Sequence, residues 1–405
     1  MNNKEELVTD QNSMPKPSGF IRHWQLDSVI TFLNHGSFGA CPIAVLAKQQ
    51  EWRDRLERQP LQFLGADIEP LLDQARAELA QFVGTAPDEL VFVPNATTGV
   101  NAVLRSLTFQ PGDELLTTNQ EYNACRNALN FVAERSGATV VVAEIPFPLE
   151  SPQQIVDAVL AKVSDRTRLA LLDHVVSQTG LIFPLADLIP PLTQRGIEVL
   201  IDGAHAPGMV PLNLATLGAT YYTGNCHKWL CSPKGAAFLY VQRDRQPQIR
   251  PLTISHGANA QRPERSRFWL EFDWMGTDDP TAYLSVPAAI QFMGALLPGG
   301  WPALMAHNHD LAIAGRQVLC KALQIAPPCP AEMLGALAVL QLPDGDWRSL
   351  HDQLLATANI EVPIIPWTPP QGRLLRISAQ LYNHISQYEY LATCLQQILA
   401  RDKER

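Results

Sequence analysis

The sequence predicts an α/β protein: a large domain on a parallel-rich sheet with helices on both faces, followed by a smaller α+β domain. Three observations predict it. Short β-rich runs ("ELVFVP", "DELLTT", "TVVVAEI", "RLALLDHV", "IEVLID", "AAFLYV") alternate with stretches of helical periodicity such as "PLLDQARAELAQFVG" and "SPQQIVDAVLAKV". Those runs are nearly continuous in hydrophobicity, as strands covered on both faces must be. The length, 405 residues, exceeds what one core comfortably supports.

The elements follow in chain order. Residues 1–25, opening "MNNKEELVTDQNSMPKPSGF", are polar, lack the apolar stretch of a secretory signal, and read as a loose amino-terminal arm. Residues 26–59 are expected to join the small domain. Residues 60–295 carry the strand and helix alternation of the large domain. The register changes near "LLPGGWPAL", where Pro and Gly punctuate the pattern. Residues 296–405, where helical stretches alternate with "ALAVLQL", "IEVPII" and "RLLRIS", form the small α+β domain.

Composition narrows the function. A net charge of −9 without a basic run argues against nucleic-acid and anionic-membrane partners and for a small-molecule ligand. Only 18% of residues are charged while 46% are hydrophobic, which points to burial between subunits. No apolar run is long enough to span a bilayer, so a cytoplasmic protein is expected. Seven cysteines, scattered from Cys41 to Cys394, form neither a disulfide framework nor a paired metal motif. They read as free thiols in a reducing compartment, with no metal site.

In open α/β sheets ligands bind beyond the carboxyl ends of the strands. Four such ends carry polar residues. In "FVPNATTGVNAVL", Asn95, Ala96, Thr97, Thr98 and Gly99 open a helix whose free N–H groups suit a phosphate, although Asn and Thr there also serve as plain caps. In "VLIDGAHAPG", Asp202 ends a buried strand and His205 follows in a turn. A carboxylate there can hold a cation or simply form the turn, and His205 can be structural. In "YYTGNCHKWLCSPKG", Thr223, His227 and Lys228 lie close together. A desolvated lysine has a depressed pKa and can condense with an aldehyde; the alternative is a stem lying along apolar surface. Cys226 and Cys231 in the same stretch read as packing residues. In "RLLRIS", Arg376 is either a carboxylate fork or a salt-bridge partner, its apolar neighbours favouring the fork.

An anion-suited helix start, a strand-end Asp with a His three residues on, and then Lys228 follow the order and spacing of a pyridoxal 5'-phosphate site. On these residues the chain resembles the fold-type I, class V aminotransferase superfamily. Within it, "LNHGSFGACP", "NATTGVNAVL", the stretch from Ile201 to Val241 and "LLRISAQLYN" are similar to the isopenicillin N epimerase group. The resemblance covers about residues 30 to 390. It implies a mostly parallel seven-stranded sheet in the large domain and a homodimer with shared active sites.

The resemblance also assigns roles. Lys228 would hold the cofactor as an imine and then act as the base at Cα. Asp202 would keep the pyridine nitrogen protonated, and His205 would hydrogen-bond the phenolic oxygen. Ala96, Thr97, Thr98, Thr223 and His227 would bind the phosphate. Tyr122, in "NQEYNACRN", would stack on the ring, and Ser177, in "HVVSQTG", would sit beside the phenolic oxygen. Arg376 would bind the substrate carboxylate. Gly276 and Thr277, in "WMGTDDPTAY", would reach the partner subunit's phosphate.

The reaction is less determined. The resemblance implies chemistry at Cα of an amino-acid-type substrate, with epimerisation first and C–S lyase or aminotransferase chemistry as alternatives. The stretch "IEVPIIPWTPPQGRLLRIS" holds no cysteine, which argues against persulfide-forming desulfuration. Tyr122 and His174 are candidates for a second acid or base on the far face of Cα. A non-catalytic binder of the same cofactor is the alternative of a different class.

Overall fold

The computed structural model describes residues 15–367 and 372–404. Most of the expected amino-terminal arm, and residues 368–371 of the cysteine-free stretch before Arg376, lie outside them. Twelve strands are present among the described residues. They are β1 (Thr31–Phe32), β2 (Leu90–Val93), β3 (Glu114–Thr118), β4 (Thr139–Ala143), β5 (Thr167–Asp173), β6 (Glu198–Asp202), β7 (Tyr221–Asn225), β8 (Ala237–Val241), β9 (Leu337–Leu342), β10 (Ile360–Glu361), β11 (Ile364–Pro366) and β12 (Arg373–Ser378).

Strands β2 to β8 form one seven-stranded sheet in the order β2-β8-β7-β6-β5-β3-β4. Only β8 runs against its neighbours, β2 and β7. Alternate residues along a strand enter different cores, which explains the continuous hydrophobicity. Ala170 and Leu172 of β5 face one cluster with Val199 and Ile201. Leu169 and Leu171 face the other with Leu200, Leu239 and Val100. The second face is closed by the helices Ala96–Ser106 and Asn123–Ser136. Strand β4 departs from the pattern because it is an edge: Val140, Val141 and Val142 are only partly buried.

The carboxyl-terminal part holds an antiparallel sheet in the order β11-β12-β9. The amino-terminal segment joins it, since β1 pairs in parallel with β10 through Thr31 and Ile360. The Ser378 N–H donates to the Leu33 carbonyl, tying the end of β12 to the stretch that begins "NHG". One apolar cluster is continuous from Val199 and Trp229 to Leu340, Ile377 and Tyr388. Among the described residues, no helix is long and apolar enough to cross a membrane.

Candidate active site

The carboxyl ends of β5, β6 and β7 carry Asp173, Asp202 and Asn225, and the turn after β2 leads into the helix Ala96–Ser106. Asp202 folds the next turn back on itself: its Oδ1 accepts the Ala204 N–H at 2.9 Å. Gly203 allows this, because a Cβ there would stand 2.2 Å from the Tyr222 hydroxyl. The turn delivers His205, whose Nε2 lies 2.9 Å from the Lys228 Nζ. Its Nδ1 accepts the Trp229 indole N–H at 3.3 Å.

The backbone under Lys228 is clamped from the amino-terminal segment. His35, buried and hydrogen-bonded to the Tyr382 hydroxyl, donates from Nε2 to the Lys228 carbonyl at 3.1 Å. Gly39, at φ 69°, lets the same segment close on the loop, since a Cβ there would lie 2.1 Å from the His227 carbonyl oxygen. The motif "NHGSFG" therefore supports the lysine as a scaffold.

Burial dominates the electrostatics. It lowers the Lys228 amine to about 8, with Asp202 pulling upward and Arg376 pushing down. His205 is held well below its usual range by burial, then by Lys228 and Arg376, so its imidazole is neutral. Asp173 pairs with Asp202 in register on the adjacent strand. Burial, and then the Asp202 charge, raise the Asp173 carboxyl well above the carboxylate range. Glu121 is raised by burial and then by Asp173 and Asp202. Close-set buried carboxyls cannot all ionise, and Asp173 and Glu121 are the two pushed toward their protonated forms. The Cys125 thiol donates to the Asp202 Oδ2 at 3.1 Å.

At the other side of the lysine, the helix Ala96–Ser106 presents its amino terminus. Asn95 caps it by accepting the Thr98 N–H at 2.8 Å. The Ala96 N–H donates to Asn225 Oδ1 at 2.8 Å. Among the described residues the Thr97 N–H has no acceptor. His227 donates from Nδ1 to the Ala236 carbonyl at 3.1 Å, and burial lowers it to about 4, leaving a neutral ring with Nε2 open.

Thr223 is a correction. Its hydroxyl donates to the Phe238 carbonyl, and the side chain is fully buried beneath the helix, against Gly99. The strand runs two residues further than the motif suggested, and Asn225 is the polar group at its end. Asn225, Asp173, Glu121 and Cys125 are the site residues sequence reasoning missed. The strand-end rule that singled out Asp202 applies equally to Asp173 and Asn225.

Arg376, in the middle of the antiparallel sheet, reaches into the same region. It donates to the Ser177 carbonyl, and its Nη2 to Ser37 Oγ at 2.9 Å. Its Nε is buried without a partner. Among the described residues no carboxylate pairs with it. Burial lowers its guanidinium to about 10. Ser177 is thus placed against Arg376 by its carbonyl. Tyr122, 45% exposed, stands close enough to Arg376 to act on it electrostatically. His174 is buried, its Nδ1 bonded to the Tyr222 hydroxyl at 2.9 Å, and burial lowers it to about 4. Gly276 and Thr277 line a cavity of about 280 Å³ with Phe92, Pro94 and Trp274, a lining that does not include Lys228.

A mostly parallel sheet of this order, with a buried lysine of lowered pKa and an aspartate at its carboxyl edge, is the architecture of fold-type I pyridoxal phosphate enzymes. The chain belongs to the aminotransferase class-V family, whose model matches residues 41–363. It is 36% identical to an isopenicillin N epimerase from Amycolatopsis lactamdurans, over 92% of this chain and 96% of the relative. It is 29% identical to a probable chloroplastic L-cysteine desulfhydrase from Arabidopsis thaliana, over 96% of this chain and 88% of the relative. Its fold matches C-DES carrying glycine covalently linked to its PLP cofactor, with a TM-score of 0.79 at 21% identity, covering 96% of this chain and 99% of that one.

Proposed function

We propose that this class V pyridoxal phosphate enzyme exchanges the proton at Cα of an α-amino-acid substrate and returns it to either face, as an epimerase similar to isopenicillin N epimerase. The observation that carries the amino-acid reading is Arg376: a buried guanidinium with, among the described residues, no carboxylate partner and an unpaired Nε. Leaving such a charge unpaired is costly, and a substrate carboxylate answers it with two charge-assisted bonds. Identity of 36% to an epimerase favours epimerisation. Relatives named cysteine desulfhydrases, at 29% identity, support β-elimination as the second reading.

The donor set fits the cofactor. Bound there, pyridoxal phosphate supplies a sink for the electron pair left at Cα when its proton departs. Lys228 is the amine to hold the aldehyde and, uncharged, to take the Cα proton. Asp202, at the end of β6 with the Cys125 thiol on its Oδ2, is the residue to keep the pyridine nitrogen protonated. His205 is a neutral donor beside the amine. The Thr97 N–H and the Asn225 side-chain amide are the donors of the phosphate end. The Ala96 and Thr98 N–H groups are given to Asn225 and Asn95, and the neutral His227, its proton on Nδ1, offers only an acceptor. Tyr122 is the proton carrier for the second face, because it stands beside Arg376 with an accessible phenol. His174 is committed to Tyr222.

A homodimer belongs to this reading. Phe38, Leu61 and Ile254 are 74%, 87% and 61% exposed, an apolar cost that a second copy would remove. Gly276 and Thr277, in a cavity whose lining does not include their own lysine, would serve the partner's phosphate. A reducing, cytoplasmic compartment belongs to the same reading, which the unpaired cysteines support.

The test is turnover in deuterated water with a panel of L-amino acids and cysteine conjugates. Epimerisation gives solvent deuterium at Cα with loss of optical activity, and Tyr122→Phe keeps the exchange but loses the inversion. Pyruvate and ammonia release would replace the epimerase with a lyase. An α-keto acid with aminated cofactor would make it an aminotransferase.

A further inference from the structure

We propose that Trp229 is a positioning residue whose indole N–H fixes the proton of His205 on Nε2, directed at the Lys228 amine. An indole nitrogen donates and never accepts. His205 Nδ1, 3.3 Å away, must therefore be the acceptor. A neutral imidazole carries one N–H, so the proton resides on Nε2, 2.9 Å from the Lys228 Nζ. The lysine can meet that donor only through its lone pair. An ammonium there would point its own protons at an N–H.

The indole is held for this task. It is fully buried, with its ring centroid 4.8 Å from that of His35. The turn that carries His205 lies directly on the Trp229 backbone, because Gly208, at φ 87°, admits a contact that a Cβ would shorten to 2.6 Å. Other charged or titratable groups face the pair: Asp202, Asp173, Cys125 and Arg376 around the amine, with His227 and His35 around the imidazole. Among the described residues none of these hydrogen-bonds to either His205 ring nitrogen or to the Lys228 Nζ. The tautomer thus depends on Trp229. Without its N–H, His205 can carry its proton on Nδ1 and accept from a charged lysine at Nε2.

That the same Nε2 proton then serves the cofactor's phenolic oxygen rests on the reading above; the protonation of His205 does not. Both are separable in cofactor-free protein. ¹⁵N-histidine labelling, with His205 assigned by comparison with His205→Gln, is expected to show a bare Nδ1 and a protonated Nε2. Lys228 labelling by trinitrobenzenesulfonate, followed by mass spectrometry across pH, gives the amine midpoint. In Trp229→Phe that midpoint rises by about one pH unit, a roughly tenfold loss of the uncharged amine at pH 7. A protonated Nδ1 in the unaltered protein overturns the proposal, as does an unmoved midpoint in folded Trp229→Phe. If Trp229→Phe does not fold, the ¹⁵N result on the unaltered protein decides. Failure to take up pyridoxal phosphate would count against the cofactor reading alone and leave both measurements standing.

Discussion

Arg376→Met separates the stability of this protein from its activity. The guanidinium is held at about 10, well below its ordinary range, because it is buried and no carboxylate among the described residues pairs with it. At about 1.4 kcal/mol per pH unit this costs the fold ~3 kcal/mol. The unfolded chain binds that proton more tightly than the folded one, so the cost is complete at every pH below about 10. Removing the side chain also removes donors to the Ser177 carbonyl and Ser37 Oγ, each worth roughly 1 kcal/mol net. Methionine fills much of the stem volume without charge. The cofactor-free variant should therefore match the parent or exceed it by about 1 kcal/mol in urea unfolding. Its kcat/KM on the substrate found in the deuterium assay should fall by roughly 30- to 5,000-fold, the worth of about 2–5 kcal/mol for one partner of a buried charged pair. A loss of roughly 3 kcal/mol or more in stability would make Arg376 a strut for Ser177 and Ser37. Unchanged turnover would remove it from substrate binding.

Three further outcomes are expected. Uptake of pyridoxal phosphate by cofactor-free protein, followed by visible absorbance, should accelerate as pH rises and level off above about 8, where the Lys228 ammonium gives way to the amine. A rate that is flat from pH 6 to 10 contradicts the lowered amine, and borohydride trapping on any other residue contradicts Lys228. Asp173→Asn should keep activity within a few-fold at pH 7, since burial and Asp202 already hold that carboxyl protonated; Asp202→Asn should lose on the order of 100-fold or more, and equal losses would show that both are charged. Gly39→Ala, at φ 69° and 2.1 Å from the His227 carbonyl oxygen, should destabilise by roughly 3 kcal/mol or more, which an unaltered melting temperature would disprove.

The strands of the large sheet were legible because burial on both faces demands continuous hydrophobicity, and all six β-rich runs of the large domain lie in it. Strand β7 was legible only as the lead-in to Lys228, and there the reading slipped. Thr223 and Asn225 point to the same face two residues apart, and only the overlying helix decides which one is covered. The pairing of Asp173 with Asp202, and the Cys125 thiol bonded to Asp202, arise from three separated segments. The seating of Ser177 against Arg376 likewise depends on how the antiparallel sheet docks. No linear spacing encodes these contacts.

What the sequence determined by itself was the chemistry on offer: an amine at position 228, a carboxylate at 202 and an imidazole at 205, each at or just beyond a strand end, and a guanidinium at 376 among apolar neighbours, which the structure puts within β12 and not at its end. What the tertiary structure decided was the protonation of those groups. Burial, the neighbouring strand and the Trp229 indole fix which of them is charged, because the cost of a charge depends on everything packed around it and not on its neighbours in the chain.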